Sequence, residues 1–251
     1  MDENTDTEYA PHLKCYHRDI GEYIIFHDNV VWVERIADQL SDVQLVSHKR
    51  EYFVYTGTLH NKKVTAVSTG MGAPTTAIAL DELAMIGARK FFKIGTCGAL
   101  QEYLNHGDVI IPVGAVRHEG TTKTYIADDF PAVPRYTLVK KIEESLSKAG
   151  ISPEFGIVWS TDGYHSVMAR PDLFEYWSKA GALGVEMECS SLFVTGYLRR
   201  VDVAAVIVVN RTYNQIRGLM EGEGKWYQKR NIIENSVMKV IDAVFNVIKN
   251  E

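Results

Sequence analysis

Val203-Ala-Ala-Val-Ile-Val-Val209 is the longest apolar run in the chain. It is far too short to cross a bilayer, which takes about 20 residues of helix. Its length and β-branched content read instead as a strand buried on both faces, and such a strand needs cover above and below. Outward from it, short β-branched or aromatic stretches alternate with longer helical patterns. Strands are expected at residues 23–26, 51–59, 63–68, 90–94, 108–116, 154–160 and 203–209. Helices are expected at 31–40, 75–86, 137–149, 171–179, 188–199 and 230–248. In the last, Ile233, Val237, Val240, Ile241, Val244 and Ile248 recur at helical spacing, with one face buried. The interleaving predicts an α/β protein with a central β-sheet flanked by helices on both faces.

Asn61-Lys62 separates two strand-like runs and reads as a hairpin turn, so the sheet is expected to be mixed. Residues 123–135 show no period and carry Pro131 and Pro134; they read as a long loop of the kind that often serves function. No linker, composition shift or repeat divides the chain. Residues 11–251 therefore read as a single domain, and the acidic, polar residues 1–10 as a flexible tail.

Composition narrows the function. With 46% hydrophobic and 24% charged residues the chain has ordinary globular makeup. A net charge of −5, with basic clusters no longer than Lys140-Lys141 and Arg199-Arg200, argues against nucleic acid as a partner. Cys15, Cys97 and Cys189 form no disulfide framework and read as reduced thiols of a cytoplasmic protein. The first residues lack the basic and apolar regions of a signal peptide, so no membrane association is expected.

Three strand ends run into unusual turns. Ser68-Thr-Gly-Met-Gly-Ala-Pro74 bends on two glycines into a helix start. It fits an anion-holding helix N-terminus and a plain strand-to-helix turn about equally. Lys93-Ile-Gly-Thr-Cys-Gly98 gathers a cation, a hydroxyl and two permissive glycines, donors enough for an oxyanion without a metal. Gly184-Val-Glu-Met-Glu-Cys189 puts Glu186 and Glu188 on one side of an extended segment and Met187 on the other. A carboxylate accepts both hydroxyls of a vicinal diol, and a thioether packs on a flat ring or sugar face. The same glutamates would also favour a helix N-terminus simply through its dipole.

Taken together, these segments resemble the nucleoside phosphorylase family that includes uridine phosphorylase and the hexameric purine nucleoside phosphorylases. The resemblance runs from about Pro11 to the C-terminal helix. It rests on Ser68-Thr-Gly-Met-Gly-Ala-Pro-Thr-Thr76, Ile94-Gly-Thr-Cys-Gly-Ala99, Phe130-Pro-Ala-Val133, Val185-Glu-Met-Glu188 and Val209-Asn-Arg-Thr212. The last piece and Glu119-Gly-Thr-Thr122 look like uridine phosphorylase in particular. The resemblance implies a distorted central sheet and a homodimer or homohexamer with shared active sites. It also implies reversible phosphorolysis of a nucleoside to free base and ribose 1-phosphate, with phosphate as co-substrate and neither metal nor organic cofactor.

By position, the resemblance assigns Glu188, with Glu186, to the ribose hydroxyls and Met187 to the sugar face. Thr96 falls between phosphate and ribose. Lys93 and Arg50 belong to the phosphate, Arg50 serving a neighbouring subunit. His12 reaches a neighbour's ribose. Tyr164 stacks on the base, and Arg170 and Arg211 bond its carbonyls. Arg211, Glu188 and Thr96 are the expected catalytic residues.

Four positions depart from the family pattern. The phosphate loop, normally Gly-Asp-Pro-x-Arg, reads Asp28-Asn-Val-Val-Trp32 before Val33-Glu-Arg-Ile-Ala37. Asp28 thus replaces the glycine and Trp32 the arginine. Lys93 replaces an arginine, keeping charge but not the bidentate fork. The base-reading glutamine falls near Met168. A carboxylate about 4 Å from a unit negative charge costs about 4 kcal/mol at an effective dielectric near 20. Two readings therefore stand beside phosphorolysis: a nucleoside hydrolase on the same frame, and a nucleoside-binding protein without turnover.

Overall fold

In the computed structural model, which describes residues 8–223 and 229–251, the run at 203–209 forms most of strand β11 (Asp202–Arg211). Parallel β7 (Lys90–Ala99) lies on one side of it and antiparallel β8 (Val109–His118) on the other. Its residues alternate between two cores, as the period of a strand requires. Val203, Ala205, Ile207 and Val209 pack with Leu80 and Leu83 of α2 (Ala73–Met85) and with Leu192 and Phe193 of α7 (Cys189–Leu198). Ala204, Val206 and Val208 pack with Leu138 and Ile142 of α4 (Tyr136–Lys148) and with Ile241 and Val244 of α9 (Arg230–Asn250). Helices thus cover both faces of one mixed sheet in one α/β domain.

The other strands of the sheet are β3 (Tyr23–His27), β4 (Ser41–Lys49), β5 (Tyr52–Leu59), β6 (Lys62–Ser68), β9 (Glu154–Thr161) and β10 (Gly184–Glu186). The order is β10-β9-β8-β11-β7-β3-β6-β5-β4. β10 also pairs antiparallel with the far end of β7, Gly184 opposite Ala99 and Val185 opposite Gly98. That second pairing closes β7, β11, β8, β9 and β10 into a ring and is the distortion of the sheet. It also draws the C-terminal ends of β7, β10 and β11 together.

Several boundaries differ from those read in the sequence. Tyr9 and Ala10, assigned to the tail, form β1 (Tyr9–Ala10), paired with β2 (Cys15–Tyr16), and Ala10 is fully buried. Residues 1–7 of the expected tail lie outside the described residues. The hairpin between β5 and β6 turns on His60-Asn61, both at positive φ, one residue before the expected pair. β4 was not expected at all. It pairs with β5 alone and is exposed or half-buried throughout, so no apolar alternation marks it. The segment 123–135 begins inside a short helix, α3 (Thr121–Tyr125). The Arg117 guanidinium holds the rest by donating to the carbonyls of Thr122, Ile126, Ala127, Asp128 and Phe130. No residue of it lines the cavity described below, so this loop is a braced connection. α1 (Val30–Ala37), α5 (Ser166–Ala169), α6 (Pro171–Lys179) and α8 (Tyr213–Met220) complete the described helices.

Candidate active site

The three glycine-bearing turns of the sequence converge on one carboxylate. In β7, Phe91 and Cys97 pack toward α2 and α7, and Lys93 shares their side of the strand. Lys93 is 3% exposed, and its ammonium donates to Glu188 Oε2 at 3.0 Å. A Cβ on Gly95 would stand 2.7 Å from that ammonium, so glycine is what leaves room for it. Glu188 is the residue on which α7 begins, and its Oε1 accepts from the Gly72 N–H at 2.8 Å. Gly72 starts α2 at φ +112°, a conformation that favours glycine, and this aims its N–H at Glu188.

Charge is balanced by position. Burial pulls the Lys93 ammonium down, but Glu188, Cys189, Glu186 and Asp28 together outweigh it and hold its pKa above the ordinary value. Burial raises the Glu188 carboxyl against the pull of Lys93, and Glu186 and Asp28 add to the rise. Burial also raises all three thiols above the ordinary 9.0, Cys15 to about 12, so none offers a thiolate at neutral pH.

Glu186 plays a different part from its neighbour. Its Oε2 accepts from the N–H groups of Glu188 and Cys189 at 2.9 and 2.8 Å, and Oε1 accepts from the Ser160 hydroxyl. Both oxygens are thus committed to protein donors, and the carboxylate caps α7. It lines the cavity together with Glu188.

The cavity opens between Glu188, Met187 and Met71 on the α2 and α7 side and the ends of β7 and β11. Asp28, Thr96 and Asn210 line it and also an adjoining cavity beside α1, so they mark one side. Elsewhere on its wall, Arg211 Nη1 donates to the Tyr164 hydroxyl at 2.5 Å, with the guanidinium 5.7 Å from the ring centroid. The β7–β11 register shifts between Val209 and Arg211, leaving Asn210 as an extra residue. Such a bulge re-aims side chains. Here it lets Asn210 Nδ2 donate to Thr96 Oγ1 at 2.8 Å. Asn210 was missed as a site residue, although it stands inside Val209-Asn-Arg-Thr212. Met71, likewise missed, is the centre of the Gly-Met-Gly turn.

The departures from the family pattern now have places. Asp28 faces the cavity. Burial works against its ionisation, but the His27 ring, with Nδ1 2.7 Å from Asp28 Oδ1, and Lys93 hold the carboxyl well below the ordinary 3.8. Trp32 stacks on His27 at 5.9 Å and carries the Arg35 guanidinium at 4.6 Å, so it packs the outside of the loop. Met168 lines the cavity where a glutamine was missing.

Four expected residues do not line this cavity: Lys93 lies buried against Glu188, and three others stand away from it. Arg170, expected at the base, is exposed and held bidentately by Asp172 at 2.9 and 2.7 Å. Arg50 is exposed at φ +56° in the turn between β4 and β5. His12 is half-exposed, its Nδ1 2.5 Å from Glu82 Oε1, while Glu82 also accepts from the N–H groups of His12 and Leu13. Among the described residues, no cluster of three or more His, Cys, Asp or Glu is placed to hold a metal. No described helix is long and apolar enough to cross a membrane.

Comparison with known proteins agrees with this geometry. A profile of the phosphorylase superfamily matches residues 27–245. A uridine phosphorylase of Treponema pallidum (strain Nichols) is 36% identical over 250 residues, covering 96% of this chain and 94% of that protein. A guanosine phosphorylase of Halorubrum lacusprofundi is 29% identical over 95% of this chain and 97% of its own. The crystal structure of a uridine phosphorylase from Vibrio fischeri ES114 superposes with a TM-score of 0.87 at 30% identity, covering 98% of this chain and 99% of that one. The purine nucleoside phosphorylase of Toxoplasma gondii has the same fold, with a TM-score of 0.87 at 23% identity over 97% and 96% of the two chains. On these grounds the chain belongs to the phosphorylase superfamily and is a pentosyltransferase of the nucleoside phosphorylase type.

Proposed function

We propose that the protein catalyses the reversible phosphorolysis of a pyrimidine nucleoside, with uridine the first candidate, to the free base and ribose 1-phosphate. One observation carries the reading. A single cavity is lined by a buried carboxylate, Glu188, which is paired with Lys93, and by Thr96, with an arginine–tyrosine pair, Arg211 and Tyr164, on its wall.

Glu188 accepts the ribose 2′- and 3′-hydroxyls, and Met187 packs on the sugar. Its two oxygens keep further lone pairs once Gly72 and Lys93 are bonded. Cleavage of the N-glycosidic bond passes through a sugar with oxocarbenium character, which a neighbouring anion stabilises. Phosphate, oriented by Thr96 and Lys93, is both that anion and the nucleophile. The base departs with negative charge, and Arg211 stabilises it while Tyr164 stacks on the ring. No carboxylate stands at Arg211 to protonate a purine nitrogen, which favours pyrimidines. No cofactor is called for.

His12 and Arg50 are exposed on the same chain and serve a neighbouring copy in a homodimer or homohexamer. Glu82 fixes the His12 ring for the task. Three buried, unpaired thiols fit a reducing compartment such as the cytoplasm. Incubation with a panel of nucleosides, with and without phosphate, tests the reading: ribose 1-phosphate from uridine, dependent on phosphate, is the expected product. A second reading, hydrolysis, draws on Asp28 in the cavity wall, and free ribose formed without phosphate would establish it.

A further inference from the structure

Asp28 is the feature that ordinary phosphate binding does not explain. Asp28 and Thr96 line both the nucleoside cavity and the adjoining one beside α1, on the side where the phosphate belongs. Its Oδ1 is buried without a hydrogen-bond donor, 2.7 Å from His27 Nδ1. Behind it, His27 is 2% exposed, lines the adjoining cavity, and has an Nε2 that is also buried without a partner. The side therefore presents an ionised carboxylate whose Oδ1 is held against His27 while its side chain stays 26% exposed. Lys93, which acts on it after the His27 ring, is already bonded to Glu188.

A fully deprotonated oxyanion meets only repulsion from such a group. An oxyanion that keeps a proton does not, because its O–H donates to the carboxylate in a short charge-assisted bond. Resting on the phosphorolysis reading above, we propose that Asp28 is a specificity-determining residue that reads the proton of the phosphate. It accepts a hydrogen bond from a P–O–H group and thereby excludes oxyanions, such as sulfate, that carry no proton near neutral pH. The remaining phosphate oxygens face Thr96 and the neighbour's Arg50. The discrimination follows from an asymmetry of hydrogen bonding: an acceptor satisfied by one ligand is buried against a second acceptor by the other. His27 is a positioning residue, held by the Asn29 N–H at 3.0 Å and stacked on Trp32.

The test is steady-state phosphorolysis of uridine with sulfate and arsenate as competitors, in wild type and in Asp28→Asn. In the wild type, arsenate, which keeps a proton, competes at concentrations near the phosphate KM. Sulfate does so only at concentrations about 100-fold higher, the ratio set by one charged hydrogen bond replaced by one repulsive contact. In Asp28→Asn the amide donates, and the sulfate-to-phosphate ratio falls to within about 10-fold while the arsenate-to-phosphate ratio holds. Circular dichroism and a melting curve show whether the variant is folded. If it is not, the wild-type ratio alone decides. Sulfate competing as well as arsenate in the wild type overturns the proposal, as does an unchanged ratio in a folded Asp28→Asn. Free ribose released without phosphate overturns the phosphorolysis reading itself and the proposal with it. Ribose 1-phosphate formed while sulfate competes freely overturns the proposal alone.

Discussion

Replacing Glu188 by glutamine changes one atom and tests the centre of the site. Both carboxylate oxygens accept from donors that cannot turn away: the Gly72 N–H at 2.8 Å and the Lys93 ammonium at 3.0 Å. An amide has one oxygen, so its NH2 must face one of the two, donor against donor. Breaking a buried ion pair by removing one partner costs about 3–5 kcal/mol. Lys93 keeps some compensation from Glu186 and Asp28, which also act on it, so about 2–3 kcal/mol is expected here. In a chain of this size that lowers Tm by about 4–12 °C. Catalysis suffers more. The charge-assisted diol contacts are weakened together, and kcat/KM for the nucleoside should fall at least about 100-fold. Initial rates of base release, measured below the variant's melting range, give the number. A folded Glu188→Gln protein with kcat/KM within about threefold of wild type would refute the assignment of the diol to Glu188.

The contrasting variant, Glu186→Gln, should lose about 1–2 kcal/mol through the α7 cap, read as a lower urea midpoint, with a smaller fall in kcat/KM than Glu188→Gln; the reverse ranking would transfer the ribose to Glu186. Arg211→Ala should weaken uridine binding by about 1–3 kcal/mol by leaving a base carbonyl unpaired, and calorimetry showing adenosine or inosine tighter than uridine in the wild type would contradict the pyrimidine preference. Inactive His12→Ala and inactive Glu188→Gln chains, mixed and allowed to exchange, should regain part of the activity; light scattering that finds a fully active monomer would end the shared-site reading. Asp28 is held below its ordinary 3.8, so its contribution to stability is present above that pH and lost as pH falls through the lowered value. Thermal melts of Asp28→Asn should therefore decline less steeply than wild type below pH 3.8, and equal slopes would show that the His27–Asp28 contact carries no stability.

The parts of the fold legible in sequence were those where burial imposes a period. β11 and α9 sit against the cores on their apolar residues, and the pattern located both. β4 escaped because an edge strand with solvent on its faces has no pattern to show. β7 and β11 run past their expected ends because Gly95, Thr96, Asn210 and Arg211 are polar or permissive, yet pairing continues through them. The site followed the same logic. Lys93 was singled out as a cation that could serve an oxyanion, and the structure pairs it with Glu188. That Glu186 turns to the backbone could not be read in advance, since only the start of α7 decides it. Arg170 was placed by position in a motif, and its neighbour Asp172, two residues on, satisfies it at the surface.

The second pairing of β10 also bears on how the molecule meets other chains. A sheet of nine strands ordinarily offers two open rims to a passing strand, and unpaired rims invite runaway association. Because β10 closes back on β7, one rim is consumed, and β4 is left as the open rim of this sheet. That rim is poorly suited to templating. It breaks register twice against β5, between Ser41 and Gln44 and between Leu45 and Ser47, and Asp42 stands at φ +53°. Irregular, twisted edges accept a specific, shaped neighbour far more readily than an extended foreign strand. The closed ring of strands thus confines the aggregation hazard of a large sheet to one crooked border.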